Sequence, residues 1–137
     1  MDVEESRATG WVAWVLFGGI ALVLLGTVHL CMGSLALLNP DVLAGTRGAL
    51  LLPISLTALG WLHMGVGVLA VITGAALFLG RLWARMVAIQ LAALAALFDF
   101  LFLAEHPVWS GIAIVLAAVV IWAVAKHGAE VADAQGK

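Results

Sequence analysis

From Trp11 to Leu38 the chain carries no Asp, Glu, Lys or Arg, and three further apolar stretches follow: Ile54–Leu79, Leu82–Ala104 and Val108–Ala125. A bilayer core is crossed by about 20 apolar residues in a helix, with a range near 17–25. In hydrocarbon every backbone amide must be satisfied internally, so the spanning structures are helices or closed barrels. Unbroken apolar runs of this length read as helices. The first two stretches are long enough to tilt or project past the hydrocarbon. The fourth is short, and Lys126 extends it by carrying its ammonium to the interface. With 65% hydrophobic and 10% charged residues among 137, the chain lacks the charged surface, commonly about a quarter of residues, of a soluble domain.

The ends and the charge narrow the reading further. Asp2, Glu4 and Glu5 outweigh Arg7, whereas a signal peptide begins with positive charge and has a shorter apolar run. Cys31 is the single cysteine, so a disulfide within one chain is excluded and the compartment is not legible from cysteine usage. A net charge of −2 without a basic run argues against nucleic acid as a partner. With an even number of spans both termini share one side. That side holds Arg7, Arg81, Arg85, Lys126 and Lys137, against Arg47 alone on the other. The positive-inside rule then places both termini in the cytoplasm.

The expected fold is all-α: an integral membrane up-down-up-down four-helix bundle in the plasma membrane, N-in and C-in. Residues 1–10 are a cytoplasmic tail, 11–126 a single transmembrane domain, and 127–137 a second cytoplasmic tail. The spans run over about 11–38, 54–79, 82–104 and 108–125, with an outer loop at 39–53. Asn39-Pro40-Asp41 is a turn signal that ends the first helix. The apolar run Ala49–Leu52 implies that the outer loop lies on the membrane. Gly80-Arg81 and Glu105-His106-Pro107 are short connections, and Pro107 suits the first turn of a helix, where its missing donor is not needed. Connections this short make consecutive helices antiparallel neighbours.

Small residues lie in rows. Gly19, Gly26 and Gly33 recur in the first helix, Gly60, Gly67 and Gly74 in the second, and Ala84, Ala88, Ala92 and Ala96 in the third. Apolar burial does not drive helices together in lipid, and small residues that permit close backbone approach are a main packing device. These rows are expected to form interior seams.

The pattern Leu-Gly-x-x-His-x-x-x-Gly-x-Leu-Ala occurs twice, once with His29 and once with His63. At about 100° per residue both histidines fall on the glycine seams, and Asp99 falls on the alanine seam of the third helix. The depths of His29 and His63 also agree, each nine residues from the outer end of its span, or roughly 13 Å at 1.5 Å per residue. The two copies run in opposite directions through the membrane, in miniature like the inverted repeats of transporters, but the match is short and rich in common residues, and convergent packing accounts for it better than duplication.

Intramembrane ionisable groups are costly, which makes function a reasonable hypothesis for them. The structural reading is that neutral histidines share hydrogen bonds and Asp99 reaches headgroup water or pairs with a histidine. A b-type haem ligated by His29 and His63 is a second reading, with the glycines leaving room for the porphyrin. A zinc site of His29, His63 and Asp99 is a third, and a proton or small-solute pathway a fourth. Gln90 weakens that path, lying on the face opposite Asp99. Phosphate loops, nucleophile elbows and paired catalytic carboxylates are missing from the sequence, so no enzyme is expected. Ser34, Ser55, Thr57 and Ser110 read as helix-end or interhelical hydrogen-bonding groups, and Trp61, Trp83, Trp109 and Trp122 as interface anchors or packing residues. The expected role is that of a structural or accessory subunit, with lipid and either further copies or a larger membrane complex as partners.

Four segments carry a family resemblance. They are Gly10-Trp11-Val12-Ala13-Trp14, Gly60-Trp61-Leu62-His63, Gly80-Arg81-Leu82-Trp83-Ala84-Arg85 and Pro107-Val108-Trp109-Ser110. In order and hydropathy the chain resembles, from about residue 10 to 128, an uncharacterised family of four-span membrane proteins from high-GC Gram-positive bacteria. The resemblance implies a compact plasma-membrane bundle with no assigned activity, substrate or cofactor. It also implies asparagine as the commoner residue at the His29 position and an uncharged polar residue at that of Asp99. An amide hydrogen-bonds across helices but does not ligate haem iron.

Overall fold

The computed structural model describes residues 10–41, 55–101 and 107–134. They form four helices, α1 (Trp11–Leu38), α2 (Leu56–Phe78), α3 (Leu82–Leu101) and α4 (Pro107–Ala134). No strand occurs among the described residues. Residues 1–9, most of the expected outer loop with its Ala49–Leu52 run, and Glu105–His106 lie outside them.

Helix ends follow local chemistry. The Ser55 hydroxyl accepts a hydrogen bond from the Ala58 amide at 3.2 Å, capping α2 as a serine at this position does, an interaction worth about 1 kcal/mol. At the other end of α2 the Gly80 amide donates to the Leu77 carbonyl and the Arg81 amide to that of Ala76. Gly80 has φ 66°. This pair of bonds around a left-handed glycine is the Schellman closure, and it makes the Gly80–Arg81 connection tight. Helix α1 stops before Pro40, and Pro107 opens α4.

Among the described residues, three segments are long and apolar enough to cross a membrane: α1, α2 and Ser110–Asp133 of α4. The third expected span fares differently. The apolar part of α3, Leu82–Leu97, is shorter, with Arg85 and Gln90 inside it and Asp99 beyond. The C-terminal tail expected over 127–137 is largely helical. Helix α4 continues through it to Ala134. Ala129, Glu130 and Ala132 favour helix, and Gly128 and Val131 are buried there, so tertiary packing holds these turns.

The chain divides into two compact units, the described residues of Met1–Leu22 with Thr73–Lys137, and Val23–Ile72. In the first, α3 packs on α4. Ala84 and Ala88 are buried, while Ala92 and Ala96 are half-buried. Gly19 and Gly74 are buried in the same unit, and a Cβ on Gly19 would stand 3.2 Å from the Gly74 carbonyl oxygen. In the second unit, successive contacts climb α1 and descend α2, from Gly26 with Gly67 to Gly33 with Gly60. The two helices run antiparallel there.

Buried and exposed residues are distributed as a bilayer requires. Buried apolar positions are mostly alanine and valine, whereas Leu24, Trp61, Leu62, Phe100, Val108 and Val115 are each more than half exposed. In water such a surface would be an association hazard. In lipid, large side chains face the tails and small ones let backbones approach.

Candidate functional site: a histidine pair between two glycine contacts

His29 and His63 meet within the second unit. Their ring centroids are 5.1 Å apart and their planes are inclined at 61°, an edge-on contact. Both residues are half-buried. The Nδ1 of His63 lies 2.9 Å from the carbonyl oxygen of Leu59, one turn back on α2. A carbonyl only accepts, so Nδ1 carries the proton and donates, leaving the lone pair of the neutral ring on Nε2. Among the described residues no hydrogen bond engages the His29 ring.

The helix pair is closed on either side of these rings. A Cβ on Gly26 would stand 2.7 Å from the Gly67 carbonyl oxygen, and one on Gly33 would stand 2.9 Å from that of Gly60. His29 lies between Gly26 and Gly33, and His63 between Gly60 and Gly67. The glycines therefore bring the backbones into contact instead of leaving room for a flat ligand. A haem ligated from both faces needs a slot between α1 and α2 as broad as the porphyrin. With backbone contacts one turn above and below, the pair does not fit a haem between its rings.

Lipid-compatible satisfaction extends to the hydroxyls. Thr27 and Ser34 donate to the carbonyls of Val23 and Leu30, each at 2.8 Å. Ser34 Oγ also lies 3.8 Å from Met64 Sδ, as expected of an interhelical polar group. The free Cys31 is exposed.

Asp99 belongs to the other unit, half-buried in the last turn of α3. Among the described residues no three His, Cys, Asp or Glu side chains are grouped so as to hold a metal ion.

Residues 14–129 match the profile of a domain of unknown function, DUF7144. The chain belongs to the DUF7144 family. The match begins in the first turn of α1 and ends within α4, so the DUF7144 domain takes in all four helices and both histidines. No curated protein and no solved structure is significantly similar to this DUF7144 chain.

An aromatic cluster in the first unit is the feature that the pattern of small residues did not reveal. Trp11 contacts Trp122 edge-on at 4.1 Å between centroids. His127 stacks on Trp11 at 5.5 Å with planes 11° apart, and its Nδ1 is hydrogen-bonded to the Glu130 carboxylate at 2.5 Å. The His127–Glu130 spacing of one helical turn is legible in sequence. The approach of Trp11 from the opposite end of the chain is not. Gly18, packed on Val120, also falls outside the rows at seven-residue spacing.

Proposed function

We propose that this chain is a four-span plasma-membrane protein, N-in and C-in, that acts through helix packing as a structural or accessory subunit and not as an enzyme. The observation that carries the reading is the pairing of glycine backbones with an exterior of large apolar side chains. Gly26 and Gly67 meet backbone to backbone, while Leu24, Trp61 and Phe100 point outward. An object of this kind has its recognition surface on helix faces, because so little of the chain is polar.

On this reading α3 also crosses the membrane, as the third of four spans. At 20 residues and 1.5 Å per residue it is about 30 Å long, the thickness of the hydrocarbon core. Arg85 and Asp99 lie near its two ends, within reach of the interfaces. The occupants of the outer faces are further copies of the chain or the helices of a larger membrane complex.

The test is gentle detergent extraction from native membranes, with mass determination and identification of co-purifying proteins. A stable homo-oligomer or a stoichiometric membrane partner is the expected result. A monodisperse monomer without partners overturns the subunit role. A folded His29→Asn/His63→Asn variant that has lost solute or proton flux overturns it in favour of a carrier. Reporter fusions after residue 137 and before residue 1 check the orientation, both expected on the cytoplasmic side.

A further inference from the structure

We infer that Arg85, with Arg81 one turn before it, binds the phosphate of an anionic lipid headgroup at the end of the molecule where α3 begins. The inference rests on the reading that α3 crosses the membrane, which puts this end of the helix at headgroup level.

The first support is the way Arg85 is seated. Its side chain lies across α4 at Gly128, where a Cβ would collide with Arg85 Cδ and stand 3.1 Å from its Cγ. Only a glycine leaves that path open to the arginine stem. Arg85 Nε is covered and has no hydrogen-bond partner, although the residue as a whole is only half-buried. A covered donor without an acceptor is costly. Arginine presents its donors in a planar fork that matches phosphate oxygens, so a phosphate held by the fork supplies acceptors that the protein does not.

The second support is uncompensated charge. Among the described residues the one ion pair is that of His127 with Glu130, and no carboxylate lies within reach of Arg81 or Arg85. Glu130 is two residues from Gly128, about 200° around α4, so it stands on the side away from Arg85. Helix α3 has no acidic residue in its first turn. Like charges four residues apart repel, and an anion shared by the two arginines removes that repulsion.

The neighbours favour a lipid over a free anion. Leu82 and Met86, one turn apart, are each more than half exposed, and Trp83 is exposed beside them. Tryptophan favours the headgroup level, and the leucine and methionine offer acyl chains an apolar track next to the arginines. A free phosphate would use none of that surface. Basic pockets between helices at this level are suited to anionic headgroups.

The test is native mass spectrometry of the full chain in a neutral detergent, titrated with phosphatidylglycerol, phosphatidylcholine or inorganic phosphate. One phosphatidylglycerol per chain is expected to bind roughly 30-fold more tightly than phosphatidylcholine, at about fivefold per arginine. Arg81→Gln and Arg85→Gln should each weaken its binding by about fivefold or more. Gly128→Ala keeps every charge but displaces the Arg85 stem, so it should weaken binding as Arg85→Gln does. Lys126→Gln removes one charge from the side of α4 opposite Gly128 and should bind as the parent does. Equal affinity of the parent chain for the two lipids overturns the proposal, whether or not the variants fold. So does unaltered affinity in a folded Arg85→Gln variant, or an equal loss in the lysine control. Inorganic phosphate that displaces the lipid at equal concentration assigns the site to a free anion and overturns it too. Reporters at the two chain ends fall on the same side only if α3 crosses with the other three helices. Opposite sides would instead mark the failure of the underlying membrane reading.

Discussion

Gly26 and Gly67 face each other so closely that each blocks a side chain on the other. A Cβ on Gly26 would stand 2.7 Å from the Gly67 carbonyl oxygen, and one on Gly67 would stand 2.8 Å from that of Gly26. Backbone oxygens cannot rotate away as a side chain does, so the helices themselves would have to part. In lipid, where apolar burial does not drive helices together, close backbone approach of this kind is a main packing device.

Substituting alanine at Gly26 or Gly67 is therefore expected to destabilise the protein by about 1–3 kcal/mol, the usual range for overpacking. The same change at Gly65, where a Cβ meets nothing within 4 Å, should be neutral or stabilise by roughly 0.5–1 kcal/mol through helix propensity. Unfolding in mixed detergent followed by circular dichroism separates the two. Equal effects at Gly26 and Gly65 would remove the seam as the organising contact.

Gly80 is constrained twice, by its φ of 66° and by the Ala132 backbone 2.8 Å from a Cβ position. Gly80→Ala should cost more than the roughly 1–2 kcal/mol of the left-handed conformation alone. Gly80→Asn tolerates that conformation better but meets the same contact. A midpoint for the asparagine variant close to that of the parent would show that the approach of Ala132 contributes nothing.

The extension of α4 past the expected span has energetic consequences. Val131 is 3% exposed, and truncation of the chain after Lys126 removes it together with Gly128 and His127. Loss of this segment should lower the unfolding midpoint. Val131→Ala alone should cost about 1–2 kcal/mol, from two buried carbon groups at about 0.8 kcal/mol each. A truncated protein as stable as the full chain would reduce the last turns of α4 to an appendage.

Trp11 touches both Trp122 and His127. Aromatic pairs contribute about 0.5–1.5 kcal/mol beyond burial, so Trp11→Ala should destabilise by more than Trp61→Ala, whose ring is 65% exposed. Thermal unfolding in a fixed detergent orders the two variants, and the reverse order would deny the cluster any packing role.

A reduced-minus-oxidised absorption spectrum of protein from cells supplied with haem precursor should show no Soret or α band. The glycine contacts flanking His29 and His63 leave no slot for a porphyrin between those rings. Bands that vanish on replacing either histidine would show that the helices part to admit one.

Much of this protein was legible before any coordinates. The first apolar run, Trp11–Leu38, coincides with α1, and the second lies within a residue or two of α2. Hydrocarbon leaves the backbone so few options that length and apolarity nearly determine the element. Gly26, Gly33, Gly60 and Gly67 were legible as seam positions, because the helical period fixes which residues share a face. What the seam does to the histidines was not. Glycine beside a histidine is compatible either with an open slot or with a closed backbone contact. Only the pairing of Gly26 with Gly67 and of Gly33 with Gly60 decides for closure, and it sets the rings 5.1 Å apart. The course of α4 beyond Lys126 and the approach of Trp11 to His127 were likewise decided by tertiary structure. Residues 127–134 are too polar to read as span and too short to be helical alone. Their helix persists because Val131 and Gly128 are buried against the rest of their unit, a condition no local stretch of sequence can express.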